Sequence, residues 1–393
     1  MKKHLSFPLI LSFLAIMLLF SGCSGKQPPD SSSDTSTKTR PSDTLQSYES
    51  YPQYARLFSI EYKQHAKVVR LKNPFDTSRL LRTYLLLPRG VKPDTALPQG
   101  QIVRIPLQSV ALAQTTHIGF FDELNVLPFI RAVSQKRYVK NPQVRRQIEK
   151  GNIDEFGPAH NINVEKLLQA DPELLFVAPF RDNKYKKVSD VGIPMAINSS
   201  YMETTPLARA EWIKFVAYFF NREKQAEKTF DKISSRYHDL SRRAAQVHQR
   251  PTIFSGKKIG QVWYVPGGES YMARFFEDAG AHYLWGGNSE SGSLPLDFET
   301  VYYKAEEADY WCIIENYQGD YDYKQLGSEH IHYKEFEAFK NKNVIFCNTH
   351  TQPYYEQGIL EPHIILADLI SILQPQVLPG HTNKYYKILE ASR

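Results

Sequence analysis

Cysteine is scarce in this chain, with three in 393 residues: Cys23, Cys312 and Cys347. The histidines His117, His160, His282, His350 and His363 fall at no HxxxH or Cys/His ligand spacing, so the sequence offers no dedicated metal-ion centre. There is no P-loop, no dinucleotide GxGxxG and no GxSxG elbow, which removes the local signatures of nucleotide binding and serine hydrolysis. Beyond residue 20 no apolar run is long enough to span a bilayer. The 48 basic and 42 acidic residues leave a formal charge of +6, spread along the chain. No basic stripe is interleaved with aromatics, which argues against nucleic acid as a partner.

The N-terminal end is distinctive. Lys2 and Lys3 precede an almost wholly apolar stretch, Leu5 to Phe20, which suits a signal-peptide core. Leu19-Phe20-Ser21-Gly22-Cys23 resembles the bacterial lipobox, which implies cleavage after residue 22 and lipidation of Cys23. Acyl chains there would anchor the protein to a membrane, at about 0.8 kcal/mol per buried methylene. Residues 23–52 are mostly Ser, Thr, Asp, Pro, Lys and Gln, too polar to offset their ordering entropy, and read as a tether.

Residues 53–97 alternate between apolar and polar with turn signals. Strands are expected near Phe58–Tyr62, Lys67–Leu71 and Thr83–Leu87, forming a small β-extension. From residue 98 strands and helices alternate. Ile102–Leu107, Leu174–Ala178 and Ile193–Ile197 read as strands, and Asn163–Ala170 as a capped helix. Residues 206–249 read as a helical connection with Trp212, Phe215 and Phe219 in the core. Residues 250–393 resume the alternation, with strand-like runs near 310–314 and 343–347 that enclose Cys312 and Cys347 as buried free thiols. The expected fold is therefore α/β: two Rossmann-like lobes (98–205 and 250–393) with mostly parallel sheets, joined by one long α-helix.

The lobes echo each other. Asn163-Val164-Glu165 opens a short helix that leads into Leu174–Ala178, and Asp297-Phe298-Glu299 opens one that leads into Tyr310–Ile314. With Asp171-Pro172-Glu173, Gly192-Ile193-Pro194, Asp278-Ala279-Gly280-Ala281 and a last helix after Pro362, this order resembles the periplasmic substrate-binding proteins of ABC importers for iron-siderophores, haem and cobalamin. The resemblance covers about residues 98 to 375. The extension, Thr115-Thr116-His117 and Trp263–Gly268 are similar to Bacteroidetes-type members.

The resemblance implies a ligand held between the lobes, at the carboxyl ends of strands. Candidate contacts there are Thr116, His117, Tyr138, Arg181, Trp263, Tyr264, Ser270, Tyr271, Tyr317, Tyr354 and Tyr355. Aromatic walls suit a bulky metal chelate, and Arg181 suits its carboxylate or phenolate oxygens. The resemblance further implies that Glu165 and Glu299 dock on an ABC permease, which works with its ATPase. No catalytic residue, resident metal or cofactor is expected. Direct metal-ion binding, capture uncoupled from an importer and a lipid-anchored hydrolase stand as alternatives.

Overall fold

A computed structural model describes residues 48–182 and 185–391. The signal peptide, Cys23 and most of the tether lie outside these residues. The first sheet runs β1 (Tyr48–Ser50), β2 (Phe58–Lys63), β3 (Ala66–Asn73), β4 (Asp76–Pro88) and β5 (Gln101–Ile105), in that order. Its members pair antiparallel except β4 with β5. Two expected boundaries therefore move. The tether ends earlier, because Tyr48–Ser50 pairs with β2. The first lobe begins later, because β5 completes the extension sheet.

The first lobe is built on β6 (Val110–Leu112), β7 (Ile130–Val133), β8 (Asp154–Glu155), β9 (Leu174–Val177) and β10 (Met195–Ile197). They form a parallel sheet in the order β10-β9-β6-β7-β8. Every residue of β6 and β9 is buried, as a sheet covered on both faces requires.

The second lobe contains β11 (Thr252–Ser255), β12 (Lys258–Ile259), β13 (Val262–Pro266), β14 (His282–Tyr283), β15 (Ser293–Leu296), β16 (Tyr310–Glu315), β17 (Val344–Asn348) and β18 (Lys387–Ile388). Its main sheet runs β14-β11-β16-β17-β18, parallel except for the edge strand β18. Strands β12, β13 and β15 form a separate antiparallel sheet. Cys312 on β16 and Cys347 on β17 are buried free thiols, as expected, and burial raises both above the usual thiol range.

The connection is two helices rather than one, Pro206–Tyr218 and Glu223–Ala244, which pack on each other. Thr205 caps the first, with Pro206 at its first position. The break falls at Asn221, whose φ of 54° lies in the left-handed region that asparagine tolerates. Lys67 of the extension grips it, donating to Asn221 Oδ1 at 2.7 Å and pairing with Glu223. The first helix is buried on nearly every side, whereas the second buries only a stripe through Ala226, Phe230, Ile233 and Tyr237.

Buried carboxylates fasten the irregular segments. Glu211 accepts the backbone N–H groups of Gln53, Tyr54 and Ala55 at 2.7–2.9 Å, with Lys214 Nζ at 2.8 Å. Glu203 accepts those of Arg56 and Leu57, and Trp212 Nε1 at 3.0 Å. Asp368 receives the N–H groups of Lys384, Tyr385 and Tyr386 together with His381. A carboxylate removed from water needs such donors, because without them its desolvation costs several kcal/mol. The extension is thus tied to the first connecting helix, and the C-terminal segment to the second lobe's last helix, Pro362–Leu373.

Candidate functional site

The ends of the strands build a cavity between the lobes. From the first lobe come Gln114 and Thr116, after β6, and Ser200 and Tyr201, after β10. The first connecting helix supplies Pro206 and Arg209. The second lobe supplies Tyr271 and Phe275, after β13, and Tyr354, Tyr355 and Ile359, after β17. This is where open α/β sheets leave a crevice. The cavity measures about 70 Å³.

Arg209 is the sole charged side chain among the described lining residues. Its guanidinium lies 3.8 Å from the centre of the Tyr271 ring. Its Nε is buried without a hydrogen-bond partner. Stacking on an aromatic face leaves the in-plane N–H groups of an arginine free to donate. Beside Ser200, Asn198 Nδ2 and Ser199 Oγ are likewise buried without partners. Buried polar groups are nearly always paired, so Arg209 Nε, on a residue that lines the cavity, is open to a water or a ligand.

The two walls differ in how their polar groups are committed. Tyr354 is buried, and its hydroxyl contacts Tyr386 Oη at 3.1 Å and Met272 Sδ at 3.6 Å. The Tyr355 ring meets it edge-on at 5.3 Å and is largely exposed. At neutral pH its phenol is protonated and can donate. Tyr201 donates to Pro179 O at 2.9 Å.

Of the residues expected from the sequence, Thr116, Tyr271, Tyr354 and Tyr355 meet at the cavity. The others do not line it, each for a visible reason. Trp263 is fully buried, donates to Ser255 O at 3.1 Å and packs among Phe254, Trp311 and Tyr333. Ser270 caps helix Tyr271–Asp278, its Oγ accepting from Ala273 N–H. Arg181 stands over Phe75 of the extension, at 5.0 Å. Tyr317 packs on Tyr321, which stacks on Phe346. Tyr138 is exposed beneath Arg137, and Tyr264 is exposed on β13. His117 is buried edge-on to Phe176, and burial pulls it down to about 3, so it is neutral.

The sequence reading missed Arg209 because arginines elsewhere in the helical connection face solvent. Its signal was local: Pro206-Leu207-Ala208-Arg209-Ala210 sets one cation in an apolar run. Among the described residues no group of three His, Cys, Asp or Glu side chains is placed to hold a metal ion.

Away from the cavity, Glu165 and Glu299 are exposed in the first turns of Val164–Gln169 and Phe298–Ala305. Asn163 caps the first helix, accepting from Lys166 N–H at 3.0 Å, and Asp297 caps the second, accepting from Thr300 N–H at 2.6 Å. Both caps follow from an Asx residue placed three before the amide it receives.

Comparison with known proteins gives a consistent result. Residues 110–351 match the family described as periplasmic binding protein. An uncharacterised lipoprotein of Methanocaldococcus jannaschii is 25% identical over 299 residues, 73% of this chain and 70% of its own length. A second from that organism is 23% identical over 399 residues, covering 97% of this chain and 99% of the other. Among solved structures, a periplasmic haem-binding protein from Pseudomonas aeruginosa aligns with a TM-score of 0.58 at 16% identity, covering 73% of this chain and 99% of that one. The periplasmic vitamin B12 binding protein of Vibrio cholerae gives 0.53 at 15%, covering 69% and 98%. At these identities the structures share the fold.

Proposed function

We propose, from the premise that this chain belongs to the periplasmic binding protein family, that it captures an anionic metal chelate between its lobes and delivers it to an ABC permease. The observation that carries the ligand class is Arg209, a lone cation stacked on Tyr271 with an unpartnered buried Nε. An anionic oxygen would complete that donor, and the rings of Tyr271, Tyr354 and Tyr355 would cover an apolar or aromatic body. Haem and ferric siderophores carry such oxygens. The resident groups would bind and orient, and none of the described lining residues forms a nucleophile–base pair.

Pockets for small molecules commonly measure about 300–1,000 Å³. The cavity is far smaller, so loading a chelate requires the lobes to part. The two connecting helices, held at their break by Lys67, and the extension tied to Glu203 and Glu211 would limit that motion.

The same reading gives the exposed glutamates a task. Glu165 and Glu299 would meet cationic pockets on the permease, with lipidated Cys23 and the tether holding the protein near the membrane. Lipoprotein relatives support the anchor. Charged contacts of this kind set orientation and encounter rate more than affinity. Reversing both charges (E165K with E299K) should abolish uptake of labelled chelate and leave its affinity for the purified protein unchanged. Normal uptake by the double variant would contradict permease docking through these residues and favour capture uncoupled from import.

A further inference from the structure

The two most exposed large apolar side chains among the described residues both belong to the second lobe. Tyr303 is 86% exposed and Ile331 79%, and neither lines the cavity. Helix geometry makes them neighbours. One flank of helix Phe298–Ala305 packs on the 330–336 segment. Phe298 meets the rings of His330 and His332 at 4.4 and 5.8 Å, and Tyr302 meets Phe336 at 5.4 Å. Glu299 and Tyr303 each follow one of these two residues and so stand about 100° further round, at the solvent edge of the same flank. Ile331 lies between the two histidines in the chain and borders that edge. The far side of the helix is taken by Lys304, whose ammonium stands 5.2 Å over the Trp285 ring.

Exposed apolar residues scattered singly are ordinary. What sets these two apart is Glu299, one helical turn before Tyr303 and in no ion pair among the described residues. A surface that matches this patch presents a cation to the glutamate and apolar groups behind it. The first lobe repeats the arrangement in reduced form. Leu168, 48% exposed, follows Glu165 by one turn on helix Val164–Gln169. Each lobe thus sets an exposed apolar side chain behind its glutamate, and the second lobe has the larger share.

We propose that Tyr303 and Ile331 are the apolar anchor of the permease contact, so that the second lobe holds the permease and the first lobe orients it. This rests on the reading of Glu165 and Glu299 as docking residues. Binding energy concentrates in a few interface residues, tyrosine prominent among them, whereas charges set orientation and encounter rate. The glutamates would then govern how often the two proteins meet, and Tyr303 with Ile331 how long they stay together. Charge selects the permease over two other occupants. An anionic lipid surface repels the unpaired Glu299 carboxylate. A second copy seated on the same patch about a two-fold axis brings two Glu299 carboxylates together.

The test places a photoreactive benzophenone amino acid in the full-length protein in its own cells, one position at a time. The positions are those of Tyr303 and Ile331, of Thr300 and Lys166 beside the glutamates, and of Lys150 as a control, all exposed. Irradiation should join the first four, and not the control, to an ABC permease identified by mass spectrometry. Tyr303→Ser with Ile331→Ser should lower the adduct yield at position 300 about tenfold, and Leu168→Ser should lower it less than about threefold. Should the double variant fail to fold, the adducts at 303 and 331 decide alone. An adduct of 303 with lipid or a second copy, or no adduct at 303 where 300 gives one, would overturn the anchor. So would an undiminished yield at 300 in the double variant, or an equal loss in Leu168→Ser. All of these leave docking through the glutamates standing, whereas no permease adduct at any position would contradict that docking itself.

Discussion

Glu211 and Glu356 receive the same kind of donor but differ in how completely their charge is matched. Glu211 is fully buried, takes three backbone N–H groups and has Lys214 beside it. Its charge is matched, and it joins the extension to the helix that crosses between lobes. Glu356 takes two N–H groups, faces Asp122 and lies at the contact between the lobes themselves. A buried carboxylate with matched charge is a permanent fastening. Glu356 has fewer donors, one N–H to each oxygen, and so fastens the lobes less firmly. The extension is therefore held to the first connecting helix more firmly than the lobes are held to each other at this contact.

The contrast can be broken at either end. The largest loss of stability is expected for Glu211→Ala, which strands three amides and a lysine and should cost about 3–5 kcal/mol in chemical unfolding. Equal stability in that variant would mean that the 53–57 segment is not fastened as described. Glu203→Gln should cost less, about 1–2 kcal/mol, because one neutral oxygen can still accept from Arg56 and Leu57. Glu356→Gln should cost a similar amount, about 1–2 kcal/mol, because its amide NH2 must face one of the two N–H donors that now bind separate oxygens. A larger loss for Glu356 than for Glu211 would reverse the comparison.

Sequence patterns made long, strongly patterned elements legible. The strands around Val68, Leu175 and Ile313 were visible as apolar runs, and Asn163 and Asp297 announced their helices by cap position. Strand β6, only three residues long, was hidden beside the stronger run 102–107, which pairs with the extension instead. A single helix is expected over 206–249, because nothing local shows that Lys67 holds a turn at Asn221.

The site was legible only in part because strand-end position does not determine side-chain direction. Thr116 and Tyr271 turn into the cavity, while Trp263 turns into an aromatic core and Arg181 toward Phe75. Arg209 was concealed by its setting, since an arginine within a helical pattern ordinarily reads as a solvated face.

The central claim is that Arg209, rather than Arg181, recognises an anionic chelate between the lobes. Titration calorimetry with haem and a ferric siderophore, using the unsubstituted protein, Arg209→Ala and Arg181→Ala, tests it most directly. Losing a charge-assisted hydrogen bond should cost about 1.5–3 kcal/mol. The account predicts one of these chelates binding about 10- to 100-fold more weakly to Arg209→Ala and unchanged to Arg181→Ala. Undiminished binding by Arg209→Ala, or binding of neither chelate by the unsubstituted protein, would contradict it.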